Sequence, residues 1–216
     1  MVFKAAHGIF TALAITLLSA VTPAAAEPLQ IVGFGDSLMA GYNLPSSEAF
    51  PVQLEAALRA KGHDVTVANA GVSGDTTSGG LARIDWSVPD GTDGVILELG
   101  ANEALRGIPP EQTEKNLDAM IAKLKERGVG VLLAGMMAPP NMGADYGERF
   151  NGMYQRLAEK HGVPLYPFFL DGVAADAKLN QGDGIHPNAR GVDVIVMRIM
   201  PEIERLITRA RALRGS

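Results

Sequence analysis

The chain has 216 residues and carries 19 Lys and Arg against 24 Asp and Glu, giving a formal net charge of -5 at pH 7. This acidic balance lacks the clustered Lys and Arg that phosphate backbones require, so we expect no nucleic-acid partner. The sequence contains no cysteine, which excludes disulfides, a thiolate nucleophile, cysteine-ligated metals and a lipid-modified N-terminal cysteine.

The first 26 residues have the pattern of an export signal. Lys4 precedes the apolar stretch 9–21, and the small residues of 22–26 supply a signal-peptidase site. The apolar stretch is shorter than the ~20 residues that span a bilayer, and no later segment is long and apolar enough to do so. We therefore expect cleavage after Ala26 and a periplasmic or secreted protein with no integral membrane segment. Residues 27–216 are expected to form one domain, as a monomer or weak oligomer.

From residue 29 onward, short apolar runs alternate with longer amphipathic stretches. The predicted strands are 29–34, 65–70, 94–99, 129–136 and 164–168, and the predicted helices are 49–61, a short helix near Leu81, 112–127, 148–161 and 188–211. Strands with continuous apolar faces, separated by helices, indicate an α/β fold with a parallel sheet covered on both sides. The segments 137–147 and 171–184 are predicted to be loops.

A serine stands where the first predicted strand breaks into a turn. The carboxyl ends of the strands share one edge of such a sheet, where α/β folds keep their chemistry, so Ser37 is a candidate nucleophile. Its hydroxyl needs a base near neutral pH, and Asp183, three residues before His186, can orient the imidazole of that histidine. His63 and His161 end predicted helices, where a cation is favourable. The pattern predicts a serine hydrolase.

Two further loops follow predicted strands and offer donors for the oxyanion of acyl transfer. Gly74, within Val72-Ser73-Gly74-Asp75-Thr76, can present a backbone N–H, and Asn102 places a side-chain amide at the same edge. Each also has a structural explanation, a turn with a helix cap for the first loop and an Asx-turn for the asparagine. The residues by themselves leave both explanations open.

Four short motifs thus occur in order at strand ends: Gly35-Asp36-Ser37-Leu38, Gly74, Asn102 and Asp183-Gly184-Ile185-His186-Pro187. On these motifs the chain resembles the SGNH hydrolases, also called the GDSL esterase/lipase family, over nearly all of 27–216. It is most similar to the exported bacterial arylesterase group that includes multifunctional thioesterase/lysophospholipases. The stretches that support this closer similarity are 37–42, Leu105-Arg106-Gly107, Gln112-Thr113 and 163–169.

The resemblance implies a flavodoxin-like three-layer α/β/α sandwich with a parallel sheet of roughly five strands, and no metal or organic cofactor. It implies that Ser37 is the nucleophile and that Asp183 and His186 complete the triad. Asp36 is itself expected to be structural and to support the loop that holds Ser37. The implied oxyanion hole consists of the Ser37 N–H, the Gly74 N–H and the Asn102 side chain. The implied substrates are small aryl or alkyl esters, with acyl thioesters and lysophospholipids as further possibilities.

One residue departs from the family pattern. The third motif commonly reads Gly-x-Asn-Asp, whereas Glu103 follows Asn102 here. The extra methylene gives room to tilt the asparagine or to reshape the loop 104–109. We expect it to affect substrate fit and activity level more than the reaction.

The loops 104–109 and 137–147 are expected to flank Ser37. Their apolar side chains suit an acyl or aryl group, and the expected substrate-binding residues are Leu105, Ile108, Met137 and Met142. A carbohydrate O-deacetylase is an alternative that the four motifs do not exclude. A noncatalytic periplasmic ligand-binding protein is a third hypothesis, disfavoured because a binder does not need the complete set of Ser, Asp, His, Gly and Asn positions.

Overall fold

A computed structural model describes residues 1–2 and 27–215 of the chain. A parallel sheet of five strands occupies the centre, in the order β2-β1-β3-β4-β5. The strands are β1 (Leu29–Gly35), β2 (Val65–Gly71), β3 (Gly94–Glu98), β4 (Gly130–Ala134) and β5 (Leu165–Tyr166). This is the flavodoxin-like strand order, so the expected fold is confirmed. The export signal expected over residues 1–26 lies, apart from its first two residues, outside the described residues.

Helices cover both faces of the sheet. They are α1 (Ser37–Ala40), α2 (Phe50–Ala60), α3 (Thr77–Ser87), α4 (Ala101–Arg106), α5 (Pro110–Glu126), α6 (Ala144–His161) and α7 (Ala189–Arg214). Helices α2 and α7 pack together on one face, and α5 packs between α3 and α6 on the other. The inward residues of α5 recur three or four positions apart and are fully buried, which explains why this helix lies flat on the sheet.

Strands β3 and β4 are buried along their whole length, as strands covered on both faces must be. The pairing register aligns Gly35 at the end of β1 with Gly71 of β2 and with Glu98 of β3. The segments that follow these three strands therefore begin at one edge of the sheet. Within residues 1–2 and 27–215, no helix combines the length and hydropathy needed to cross a membrane.

Two segments predicted as loops are partly helical. Helix α6 begins at Ala144, inside the predicted loop 137–147, and Leu105 lies on α4 rather than in an irregular loop. Gly143 adopts φ +85 and starts α6. Gly147 lies in the first turn of this helix at a cost of about 1 kcal/mol, of which the exposed pair between Arg149 and Asp145, at 2.9 Å, offsets about 0.2–0.5 kcal/mol.

Candidate active site

Ser37 is the first residue of α1 and is separated from β1 only by Asp36. The Asp36 carboxylate caps this short helix, since its Oδ1 accepts a hydrogen bond from the Leu38 N–H at 3.0 Å. The helix ends after one turn at Gly41, which adopts φ +78 and lies so close to Ala49 that a Cβ would collide with it. The serine side chain is thereby held at the carboxyl edge of the sheet.

The loop before α7 brings a histidine and an aspartate to this serine. His186 Nε2 lies 3.0 Å from Ser37 Oγ, and His186 Nδ1 lies 2.7 Å from Asp183 Oδ2. The other carboxylate oxygen of Asp183 accepts the backbone N–H groups of His186 and Ile185 at 3.0 and 2.9 Å. These backbone hydrogen bonds, with that of the imidazole, lower the pKa of Asp183 to about 2. An ionised carboxylate therefore stands ready to stabilise an imidazolium.

Two residues that the sequence reasoning did not select support the His186 loop. The Gln181 side chain donates to the carbonyls of Tyr42 and Pro187 at 2.8 and 2.9 Å, and its backbone N–H donates to the His186 carbonyl at 2.7 Å. The Tyr42 ring lies 4.5 Å from the His186 ring, measured between centroids. The Gly41 turn brings Tyr42 back beside Ser37 and into contact with His186, which lies 144 positions later in the chain, so no local pattern encodes this contact.

The three candidate oxyanion donors differ in whether they already donate a hydrogen bond within the protein. Among the described residues, neither the Ser37 N–H nor the Gly74 N–H donates to a protein acceptor. Gly74 adopts φ +79, a left-handed conformation that favours glycine. The Asn102 Nδ2 group donates to the Asp75 carbonyl at 2.9 Å and to Asp36 Oδ2 at 3.1 Å. An oxyanion bound here would accept from two backbone N–H groups that have no other acceptor. It would compete with Asp36 and Asp75 for the hydrogens of the Asn102 amide.

Three carboxylates lie buried next to these donors: Asp36, Glu98 and Glu103 are 1%, 0% and 2% exposed. Burial raises the pKa of Asp36 to about 6, although hydrogen bonds from Leu38 and Asn102 oppose the shift. Burial, together with the charge of Asp36, raises the pKa of Glu98 well above its ordinary value. The Asp36 N–H donates to Glu98 Oε2 at 3.3 Å. The buried carboxyl group of Asp36 thus links α1, which carries Ser37, to Asn102.

Glu103, the residue that departs from the family pattern, points away from solvent. Its Oε1 accepts the Thr77 N–H at 2.5 Å and the Thr77 hydroxyl at 2.6 Å. Its backbone carbonyl accepts the Ile108 N–H at 3.0 Å, which closes the chain after α4. The additional methylene therefore extends the carboxylate toward α3 and not into the cleft.

The apolar residues expected to bind substrate lie on two neighbouring segments. Leu105 and Met137 are 52% and 50% exposed, while Ile108 and Met142 are half-buried. The Met142 methyl group lies close to Gly107, where a Cβ on the glycine would be 3.2 Å from it. The Tyr146 hydroxyl joins the same two segments by donating to the Ile108 carbonyl at 2.8 Å.

Residues 34–194 match the family model described as the GDSL-like Lipase/Acylhydrolase family. The chain belongs to this family. It is 40% identical to an arylesterase of Vibrio mimicus over 176 residues, which cover 81% of this chain and 88% of the relative. It is 38% identical to the esterase TesA of Pseudomonas aeruginosa over 196 residues, which cover 90% of this chain and 96% of the relative. The resemblance read from the four motifs is confirmed.

A solved structure supports the same assignment to the GDSL family. AlinE4, an SGNH-hydrolase family esterase, is 44% identical to this chain and superposes with a TM-score of 0.71, covering 84% of this chain and 98% of AlinE4. The buried carboxylate of Glu98, which accepts the Asp36 N–H beside Ser37, is a further feature of the site that the sequence reasoning missed. The available signal was a charged residue at the end of an otherwise apolar strand, Gly94–Glu98.

Proposed function

We propose that the chain hydrolyses carboxylic esters through an acyl-enzyme formed on Ser37. Membership of the GDSL-like lipase/acylhydrolase family makes it an ester hydrolase. The observation that carries the mechanism is the hydrogen-bonded series from Ser37 Oγ through the imidazole of His186 to Asp183, with distances of 3.0 and 2.7 Å. These are the separations that proton transfer to a general base requires.

In the proposed reaction, His186 Nε2 takes the proton of Ser37 as Oγ attacks the carbonyl carbon of the ester. The His186 Nδ1–H stays bonded to ionised Asp183, which fixes the tautomer and stabilises the imidazolium. The imidazolium then donates its proton to the departing alcohol or thiol as the acyl carbon–heteroatom bond breaks. A water molecule, deprotonated by His186, attacks the acyl-enzyme and releases the carboxylic acid and the free serine.

The oxyanion of both tetrahedral intermediates is proposed to accept hydrogen bonds from the Ser37 N–H, the Gly74 N–H and the Asn102 amide. The first two are unengaged among the described residues, so they need no reorganisation to bind the developing charge. The third gives up part of its bonding to Asp36 and Asp75. Such donors act mainly in the transition state, so their removal is expected to lower kcat more than it raises KM.

The proposed substrates are small aryl and alkyl esters, with acyl thioesters and lysophospholipids as extensions. The names of the relatives, arylesterase and thioesterase 1/protease 1/lysophospholipase L1, support this range. So do the apolar side chains proposed to bind the acyl group, which are Leu105, Ile108, Met137 and Met142. No observation favours a carbohydrate O-deacetylase or a noncatalytic binding protein. We further propose that residues 27–216 are one catalytic domain, exported after removal of residues 1–26.

Labelling and hydrolysis of matched variants test the mechanism. Ser37→Ala and His186→Ala should abolish turnover of p-nitrophenyl butyrate, and Asp183→Asn should be milder because it spares the base. A fluorophosphonate should label Ser37 alone, and the exposed Ser46→Ala variant should behave as the native protein. Labelling elsewhere, or near-normal hydrolysis by Ser37→Ala, would overturn the proposal. Acyl-CoA, lysophospholipid and acetylated sugar in the same assay would define the substrate range.

A further inference from the structure

Helix α4 holds the loop that follows β2 through three side chains. Asn102 donates to the Asp75 carbonyl at 2.9 Å, and Arg106 donates to the Gly74 carbonyl at 3.1 Å. Glu103 accepts both the N–H and the hydroxyl of Thr77, at 2.5 and 2.6 Å. Within residues 74–77, every residue except Thr76 therefore bonds to α4. Gly74 lies on this loop and Asn102 lies on α4, so the contact joins the elements that carry the two candidate oxyanion donors outside Ser37.

The Glu103 contact differs from the other two in being buried at both ends. Glu103 and Thr77 are 2% and 1% exposed, whereas Arg106 lies at the surface. Thr77 is the first residue of α3, where a carboxylate also meets the unpaired N–H groups and the positive end of the helix dipole. Asn116 of α5 donates to the Thr77 hydroxyl at 3.1 Å and leaves that hydroxyl free to donate to Glu103.

We propose that Glu103 is a positioning residue, which fixes the segment 74–77 against α4 so that the Gly74 N–H and the Asn102 amide can both donate to the same oxyanion. The inference rests on the proposed function, because it presumes an oxyanion hole at these donors. Glu103 touches no reacting atom. Its effect on the reaction is exerted through the relative placement of two groups that do.

The length of the side chain is the quantity that matters. Replacing Glu103 by the aspartate common in the family withdraws the carboxylate by about 1.5 Å, one carbon–carbon bond. At that distance the bonds to Thr77 break, or α4 moves toward α3 and carries Asn102 with it. Either result misplaces one donor relative to the other, and a displacement near 1 Å in a catalytic arrangement can cost up to about 10²-fold in rate.

Glutamine preserves this length and supplies the matched comparison. In Glu103→Gln, one amide oxygen can still accept both Thr77 hydrogens. The amide nitrogen then replaces Glu103 Oε2, a buried atom without a hydrogen-bond partner among the described residues, so the change removes charge while keeping reach. A role that depends on negative charge at α3 predicts that aspartate is tolerated better than glutamine. A role that depends on reach predicts the opposite order.

The test is steady-state hydrolysis of p-nitrophenyl butyrate by the full chain, with kcat normalised to active sites titrated with a fluorophosphonate. Glu103→Asp should lower kcat on the order of 10-fold with little change in KM, and Glu103→Gln should retain more activity than Glu103→Asp. The exposed Glu126→Asp variant is the control for the same chemical change and should be unaffected. Native kcat in Glu103→Asp, or better activity in Glu103→Asp than in Glu103→Gln, would overturn the inference.

A second measurement separates positioning from a general structural role. Introduced into an Asn102→Ala background, Glu103→Asp should cost much less than it does alone, because one of the two donors to be aligned is already gone. An equal factor on both backgrounds would contradict the inference. If Ser37→Ala retains turnover, the proposed function itself fails. If Ser37→Ala is inactive while Glu103→Asp is native-like, only the positioning role is wrong.

Discussion

The buried carboxyl group of Asp36 gives the most quantitative prediction. Replacing it by asparagine keeps the shape of the side chain and removes its titration. The native group is 1% exposed, and burial raises its pKa to about 6 from an ordinary value of 3.8. Ionising Asp36 therefore costs about 3 kcal/mol more in the folded chain than in the unfolded chain, since each pH unit of difference is worth about 1.4 kcal/mol.

The sign follows from proton binding. Between pH 3.8 and about 6 the folded state holds the Asp36 proton while the unfolded state has lost it. The contribution of Asp36 to the free energy of unfolding is therefore greatest below the lower value and is lost as the pH rises through the upper one. Integrated between about pH 4 and pH 7, the loss amounts to about 2.4 kcal/mol. Asp36→Asn lacks this loss because its amide does not titrate.

Urea unfolding at a series of pH values measures the effect. The free energy of unfolding of the native chain minus that of Asp36→Asn should fall by about 2 kcal/mol from pH 4 to pH 7. Taking this difference cancels the titration of groups that Asp36 does not influence, such as Asp183, whose pKa is shifted the opposite way. A difference that is flat or rises with pH would refute the reasoning. At pH 7 the variant should also lose about 10-fold or more in kcat, because Leu38 and Asn102 donate to different oxygens of Asp36 and asparagine keeps only one of them.

Three other outcomes are expected. Asn102→Ala should lower kcat by about 10²–10³ with a smaller effect on KM, and equal losses in both would instead make the asparagine a loop organiser. The kcat/KM on p-nitrophenyl esters should rise from acetate toward intermediate acyl chains, by up to ~0.8 kcal/mol per buried methylene, and Met142→Ala should flatten this rise more than it lowers acetate hydrolysis; a series in which acetate is best would contradict the acyl-site assignment. N-terminal sequencing of protein from the cell envelope should begin at Glu27, whereas an uncleaved chain would disprove the export signal.

The sequence predicted the elements well where an apolar run has clear ends. Strands β1, β2 and β3 begin at Leu29, Val65 and Gly94, the residues predicted, because turn-forming residues precede each run. The last strand was predicted too long, since β5 contains only Leu165 and Tyr166. The regular register with β4 ends after Tyr166, because the next N–H that donates to the Gly135 carbonyl is that of Phe169, at 2.8 Å, one residue later than regular pairing would place it.

The site was predictable to the extent that its residues follow strands. Parallel strands place their carboxyl ends at one edge, and this topology brings Ser37, Asn102 and His186 together whatever the intervening sequence. The residues that support them were less visible. The packing of α4 beside α3 and α1 decides whether Glu103 faces the cleft or Thr77. It also decides whether Asp36 is buried. That is a tertiary contact, and no local pattern reports it.

The energetics of Asp36 indicate what an aspartate contributes next to Ser37, the proposed nucleophile. A neutral side chain of similar shape would avoid the cost of a buried charge, so stability does not account for an ionised aspartate at this position. Only a carboxylate can accept from the Leu38 N–H with one oxygen and from the Asn102 amide with the other. The first bond fixes the helix that carries Ser37, and the second fixes Asn102, the proposed oxyanion donor. On the proposed mechanism, the free energy lost on folding at neutral pH is therefore the cost of aligning Ser37 with the Asn102 amide.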